Sequence, residues 1–161
     1  MKFCPYCGNS LITKTIDAVE RMACSSAACE YVFWDNPTPV VAAVVVHEDK
    51  VVLVRNQGWP EKFFGLVSGF LEKNESPEDA ILREIKEELC LEGEIAGMIG
   101  IYSFFKMNQL LLVYHVRAKG KIILNHELAE AKSVDPADIK PWPIGTGPAV
   151  ADWLKSQGLS L

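Results

Sequence analysis

Four of the five cysteines in this 161-residue chain fall within its first thirty positions, as Cys4-Pro-Tyr-Cys7 and Cys24-Ser-Ser-Ala-Ala-Cys29. No other feature restricts the local fold as tightly, because clustered thiolates draw separated segments to one point. Two short-spaced pairs, with sixteen residues between them, suit a tetrahedral zinc site in which each pair forms a knuckle and a hairpin joins the two. Gly8, directly after Cys7, lets backbone amides turn toward the sulfur. The second pair, with four intervening residues, is looser than the usual two. An odd cysteine count and a start, MKFCPYCGN, without an apolar signal core argue against a disulfide framework. Four unrelated free thiols and a redox CxxC are the other readings; the redox motif needs a strand before it and a helix after it. The expectation is a small structural zinc ribbon over residues 1–35, with Cys4, Cys7, Cys24 and Cys29 as ligands.

A proline-punctuated junction, Trp34-Asp35-Asn36-Pro37-Thr38-Pro39, separates this region from a second one, residues 36–161. Residues 40–47 and 50–55 read as β-branched strands joined by a tight Glu48-Asp49 turn. Residues 66–70 form a short strand, 94–105 and 109–118 two long ones, and 148–157 a closing helix with Gly158 as its stop. The best helix spans 77–89: Ser76 caps it, Pro77 suits its first position, and Asp79 completes a Ser-x-x-Asp box. The order predicts an α/β fold, a mixed sheet covered by helices.

Net charge is −5, and no basic half is concealed within it. Residues 1–35 carry Lys2, Lys14 and Arg21 against Asp17, Glu20, Glu30 and Asp35. Neither region has the positive footprint that phosphate-backbone binding requires, which disfavours a nucleic-acid partner. No apolar run approaches the roughly 18 residues of a membrane span, so the expected location is cytoplasmic and no membrane is involved.

Within the predicted helix, Glu84, Glu87 and Glu88 are three and four positions apart and share one side, beside the apolar stripe of Ile81, Ile85 and Leu89. Like charges so placed repel. They form either a solvated acidic face or a set of hard oxygen ligands for Mg²⁺ or Mn²⁺.

The flanking residues decide between these. Gly69, five residues, Glu75, seven residues and then Arg83-Glu84-Ile85-Lys86-Glu87-Glu88-Leu89-Cys90-Leu91 resemble the Nudix box, with Cys90 in place of its glycine. The resemblance implies an α/β/α sandwich around a mixed sheet. It also implies Mg²⁺- or Mn²⁺-dependent hydrolysis of a nucleoside diphosphate linked to another group, a small-molecule substrate. Carried over, Glu84, Glu87 and Glu88 would bind the metal, Arg83 would pair with Glu75 and orient Glu84, and Gly69 would bring its backbone to the metal site. Glu130, in Glu127-Leu-Ala-Glu130-Ala-Lys, resembles the acid that a loop beyond the box supplies. A zinc ribbon ahead of such a domain resembles the NADH pyrophosphatase branch, and family resemblance implies a homodimer. That branch carries a Ser-Gln-Pro-Trp-Pro-Phe-Pro array after the box, whereas this chain has Ile101-Tyr-Ser-Phe-Phe-Lys-Met-Asn. Pro141-Trp142-Pro143 is similar but lies too far downstream to correspond. ADP-ribose, NADH and related compounds are therefore equal candidates. Trp59, Phe63, Phe64, Tyr102, Phe104 and Phe105 are candidates to stack on a base. The rival reading is a non-catalytic Nudix module that binds a nucleotide or protein partner, with the ribbon as adaptor; retention of every box glutamate favours the enzyme. At Cys90 the glycine's left-handed helix stop is in question, since a side chain there costs on the order of 1 kcal/mol.

Overall fold

A computed structural model describes residues 1–159. The last two residues of the expected second region lie outside the described residues. The chain divides into two compact units, residues 1–36 and a second beginning at Pro37.

In the first unit, β1 (Leu11–Ile16) and β2 (Val19–Cys24) form the expected antiparallel hairpin, and β3 (Val32–Phe33) adds a third strand. Asp17 and Ala18 both take positive φ, the backbone of a two-residue turn whose twist matches that of the strands. The buried residues here are few: Ala23, and a cluster of Cys4, Leu11 and Cys24 with Met22, Cys29, Tyr31 and Phe33 packed around it.

The second unit is built on β4 (Thr38–His47), an unbroken apolar run that only a strand covered on both faces tolerates. Alternate residues serve the two faces. Val41, Ala43 and Val45 pack toward α1 (Pro77–Leu89), while Val40, Ala42 and Val44 pack toward α2 (Gly147–Ser156). The other strands are β5 (Lys50–Asn56), β6 (Val67–Phe70), β7 (Glu92–Phe104), β8 (Gln109–Lys119) and β9 (Leu128–Val134), in the order β7-β8-β4-β5-β9 with β6 also on β4. Among the described residues only β4 and β8 pair in parallel, so the sheet is mixed and the layers are α/β/α, as expected. β4 pairs β6 along Val40–Ala43 and β5 along Val45–His47. That split leaves β6 short, and its end reaches toward α1.

Two local details depart from the sequence reading, and a third answers the question it left open at Cys90. β9 was not expected: Leu128–Val134 reads LAEAKSV, poor in the β-branched and aromatic residues that mark strands, and its pairing with β5 forms it. The capping box at α1 is only half made. The Asp79 amide donates to Ser76 Oγ at 3.1 Å, but the Asp79 carboxylate accepts from the Ser76 hydroxyl at 2.6 Å. Cys90 adopts the left-handed stop after all, with φ 58° and its amide donating to the Lys86 carbonyl. At α2, Gly158 takes φ 76°, and the Gly158 and Leu159 amides close the helix on the Lys155 and Leu154 carbonyls.

Candidate active site and candidate metal centres

α1 presents its acids to the end of β6 because Ile81, Ile85 and Leu89 are wholly buried against the sheet, fixing the helix in rotation. Arg83 organises the cluster. Its Nε and Nη2 take both oxygens of Glu75, at 2.8 and 3.1 Å; Nη1 reaches Glu84 at 2.8 Å and Glu87 at 3.1 Å; Nη2 also donates to the Phe70 carbonyl at 3.2 Å. The forked guanidinium is needed for this, since an ammonium could not make five directed bonds across so many partners. The hydrogen bonds from Arg83 hold the Glu75 carboxyl below its ordinary range. A Cβ at position 69 would overlap the Glu84 carboxylate, so glycine there is what admits Glu84 to the end of β6.

Glu88 is the most exceptional of the acids. It is 4% exposed, and its Oε2 is buried with no hydrogen-bond partner among the described residues. Burial, and then the charges of Glu84, Glu127 and Glu87, push its carboxyl up to about 8. Glu84 is also raised, by burial first, with the Arg83 hydrogen bond opposing. Crowded carboxylates with one buried, unpaired oxygen are costly alone, and a hard divalent cation is the partner such a donor set fits.

These acids line a cavity of about 410 Å³ that takes in Gly69, Arg83, Glu84, Glu87, Glu88 and Glu127. Glu130 is not brought there. It lies on β9 rather than in a loop, and pairs with Arg55 at 3.2 Å. Glu127 occupies the cavity instead. Asn125 sets its position: the Asn125 side-chain oxygen accepts from the Glu127 and Leu128 amides at 3.0 and 3.2 Å, while the Asn125 amide donates to the Glu88 carbonyl at 3.2 Å. Asn-x-Glu ahead of a strand is a turn signal, and β9 had to be seen before it could single out Glu127.

A second cavity, of about 330 Å³ and mostly apolar, is walled by Trp59, Phe63, Phe104 and Trp142, with Lys106 among its lining residues. Trp59 and Phe63 meet edge to face at 5.0 Å. Of the stacking candidates, Trp59, Phe63 and Phe104 are thus placed together. The others are not: Phe64 lies under Lys132, Tyr102 donates to Asp152 at 2.9 Å, and Phe105 is 90% exposed. Trp142, set aside as too distant in sequence, is brought in by the packing of Gly147, where a Cβ would overlap the Trp142 carbonyl.

In the first unit the sulfurs of Cys4, Cys7, Cys24 and Cys29 all lie within 4.8 Å of one another. Cys4–Cys29 is 3.7 Å and Cys7–Cys24 is 3.4 Å. Zinc–sulfur bonds of about 2.3 Å in a tetrahedron place sulfurs roughly 3.8 Å apart, so the donor set fits zinc with no open position. Asn9 donates to Cys7 Sγ at 3.4 Å; this bond, followed by the Asn9 amide, brings the Cys7 thiol down to about 6. Gly8 has φ 75°. Cys90 is exposed and takes no part.

Comparison with known proteins bears on the family and the fold. The model of the NUDIX domain matches residues 36–153. The chain is 26% identical over 146 residues to the NAD-capped RNA hydrolase NudC of Pseudomonas putida, covering 89% of this chain and 51% of that protein. It is 36% identical over 95 residues to a human NAD-capped RNA hydrolase, covering 54% of this chain and 20% of that protein. The chain thus spans about half the length of the Pseudomonas relatives it matches. The structure resembles that of a NUDIX hydrolase from Nitrosomonas europaea, with a TM-score of 0.79, 23% identity and coverage of 99% and 94% of the two chains. No described helix is long and apolar enough to cross a membrane.

Proposed function

The chain belongs to the NUDIX family, and from that premise we propose that it hydrolyses the pyrophosphate bond of a nucleoside diphosphate linked to another group, with Mg²⁺ or Mn²⁺. One observation carries the reading: a carboxylate cavity with a buried, unpartnered Glu88 oxygen adjoins an aromatic cavity of a kind that suits a nucleobase. Glu84, Glu87, Glu88 and Glu127 are the residues to hold the metal. Bound there, a divalent cation polarises the pyrophosphate and makes a water nucleophilic near neutral pH. Arg83 and Glu75 keep Glu84 in orientation, and Gly69 keeps the approach clear. The base enters between Trp59, Phe63, Phe104 and Trp142. Glu127 takes the role that the sequence assigned to Glu130, whose ion pair with Arg55 engages it elsewhere.

The first unit is read as a structural zinc ribbon, supported by sulfur spacings that match a closed tetrahedral site. The binding-module alternative draws no support from a cavity that Glu84, Glu87 and Glu88 all line. The relatives' names add NAD-capped RNA to the substrates worth testing, against the composition argument that disfavours nucleic acid; such an RNA carries the same pyrophosphate at its end.

The experiment is a hydrolysis panel in Mg²⁺ or Mn²⁺ containing NADH, NAD, ADP-ribose, diadenosine polyphosphates, nucleoside triphosphates and an NAD-capped oligoribonucleotide. Cleavage of a diphosphate-linked nucleoside that is lost in Glu87→Gln is the expected result. No cleavage of any member would remove the proposal.

A further inference from the structure

Ser68 belongs to both cavities. It lines the aromatic cavity and the carboxylate cavity, whose other lining residues are distinct. The alternation of β6 explains its placement. Val67 is buried in the core on the α1 side, and Gly69 abuts Glu84 on α1. Ser68, between them, projects to the opposite face, where the aromatic cavity lies. Its neighbour on β4 is Ala42, wholly buried, so the strand beneath gives Ser68 no side-chain partner. Its hydroxyl has no protein hydrogen bond among the described residues, although the residue is half-buried. A half-buried hydroxyl left free at the junction of two cavities is placed to bind a ligand that passes from one to the other.

We propose that Ser68 is the sugar-reading residue of the site: its hydroxyl hydrogen-bonds a ribose hydroxyl of the bound nucleoside and makes the protein prefer ribonucleosides to deoxyribonucleosides. The inference rests on the proposed function, since it takes the base in the aromatic cavity and the diphosphate among the carboxylates. The group that joins those two parts of a nucleoside diphosphate is its pentose. Ser68 is a specificity residue with no part in the chemical step; its contact is made in ground and transition state alike, so its loss raises KM and leaves kcat in place.

ADP-ribose and its analogues with 2′-deoxyadenosine or 3′-deoxyadenosine provide the test, with kcat and KM measured for wild type, Ser68→Ala and Ser68→Thr. Dissociation constants for the same compounds are measured in Ca²⁺. Wild type is expected to favour ADP-ribose over one of the deoxy analogues by about 5–10-fold in kcat/KM and in affinity, the range of one hydrogen bond. Ser68→Ala should lose that factor on ADP-ribose and no longer discriminate, with kcat within about twofold. Ser68→Thr, which keeps a hydroxyl, should retain the preference. Hydrolysis without discrimination in wild type, or unchanged discrimination in Ser68→Ala, overturns this inference and leaves the proposed activity standing. Discriminating binding without hydrolysis removes the activity and keeps the inference, and absence of binding removes both.

Discussion

Residues 1–36 and the unit beginning at Pro37 each gather a cluster of side chains proposed above as metal ligands, yet the two stand in opposite relation to the fold around them. In the first unit the ligands are half of the core: two of its four buried apolar residues are Cys4 and Cys24. In the second, apolar layers pack both faces of a six-stranded sheet, and the acids of α1, beside the end of β6, belong to neither layer. On the proposed reading, soft thiolates close around a metal that the small unit needs for folding. Hard carboxylates are held open by a scaffold rigid enough to keep charges of one sign together. The lesson is that one chain can use metal ligands to make a fold and use another fold to make metal ligands.

The largest expected effect falls on the small unit. Removing zinc with a chelator, or by Cys4→Ser with Cys7→Ser, should abolish hydrogen-exchange protection across residues 11–24 and lower zinc content from about one per chain to none. Zinc binding in small domains is worth on the order of 10 kcal/mol, more than this core can replace. Protection in β4 and β8 should be unchanged; its loss there would break the contrast between the units.

In the second unit the effects should fall on activity rather than on folding. Glu84→Gln should lower kcat on the order of 10³-fold, the several kcal/mol that a placed divalent cation supplies, with thermal stability equal to or above that of wild type because one of the crowded acids is gone. A fall in Tm of more than a few degrees would show that the acids hold the fold together. Arg83→Lys should follow at about 10–100-fold in activity, since a lysine keeps the charge and loses the fork that orients Glu75, Glu84 and Glu87. Near wild-type activity in that variant would mean the acids need no positioning.

Much of this was legible beforehand, for reasons that are local. α1 was readable to its boundaries because its cap Ser76, and Pro77 and the Ile81-Ile85-Leu89 stripe within its thirteen residues, are all local signals. The four cysteines were readable as one site because the spacing of ligands is itself a geometric statement. β9 and Glu127 were not, since Leu128–Val134 becomes a strand only through its register with β5, which no local pattern records. Trp142 was hidden for a related reason: it reaches the aromatic cavity through close packing at Gly147. Only three positions along the chain separate Glu127, which lines the carboxylate cavity, from Glu130, which is paired with Arg55.

The smallest expected effect sharpens the comparison at the cysteine outside both clusters. Cys90→Gly should stabilise the second unit by about 0.5–1 kcal/mol, a rise of roughly 2–4 °C in Tm, by relieving a left-handed side chain at φ 58°. Zinc content and activity should not move. A loss of either would give Cys90 a part in chemistry that its exposure and separation from the other sulfurs do not suggest.

The central claim is that the carboxylate cavity makes this chain a metal-dependent pyrophosphohydrolase, and Glu88 tests it most directly because its buried oxygen has no hydrogen-bond partner among the described residues. Product analysis of the hydrolysis panel in Mg²⁺, for wild type and Glu88→Gln side by side, is the decisive measurement. The expected result is a nucleoside monophosphate and a second phosphorylated product from wild type, with kcat lower by on the order of 10³-fold in the folded variant. Equal turnover by the two proteins, or none by wild type on any compound, would contradict it.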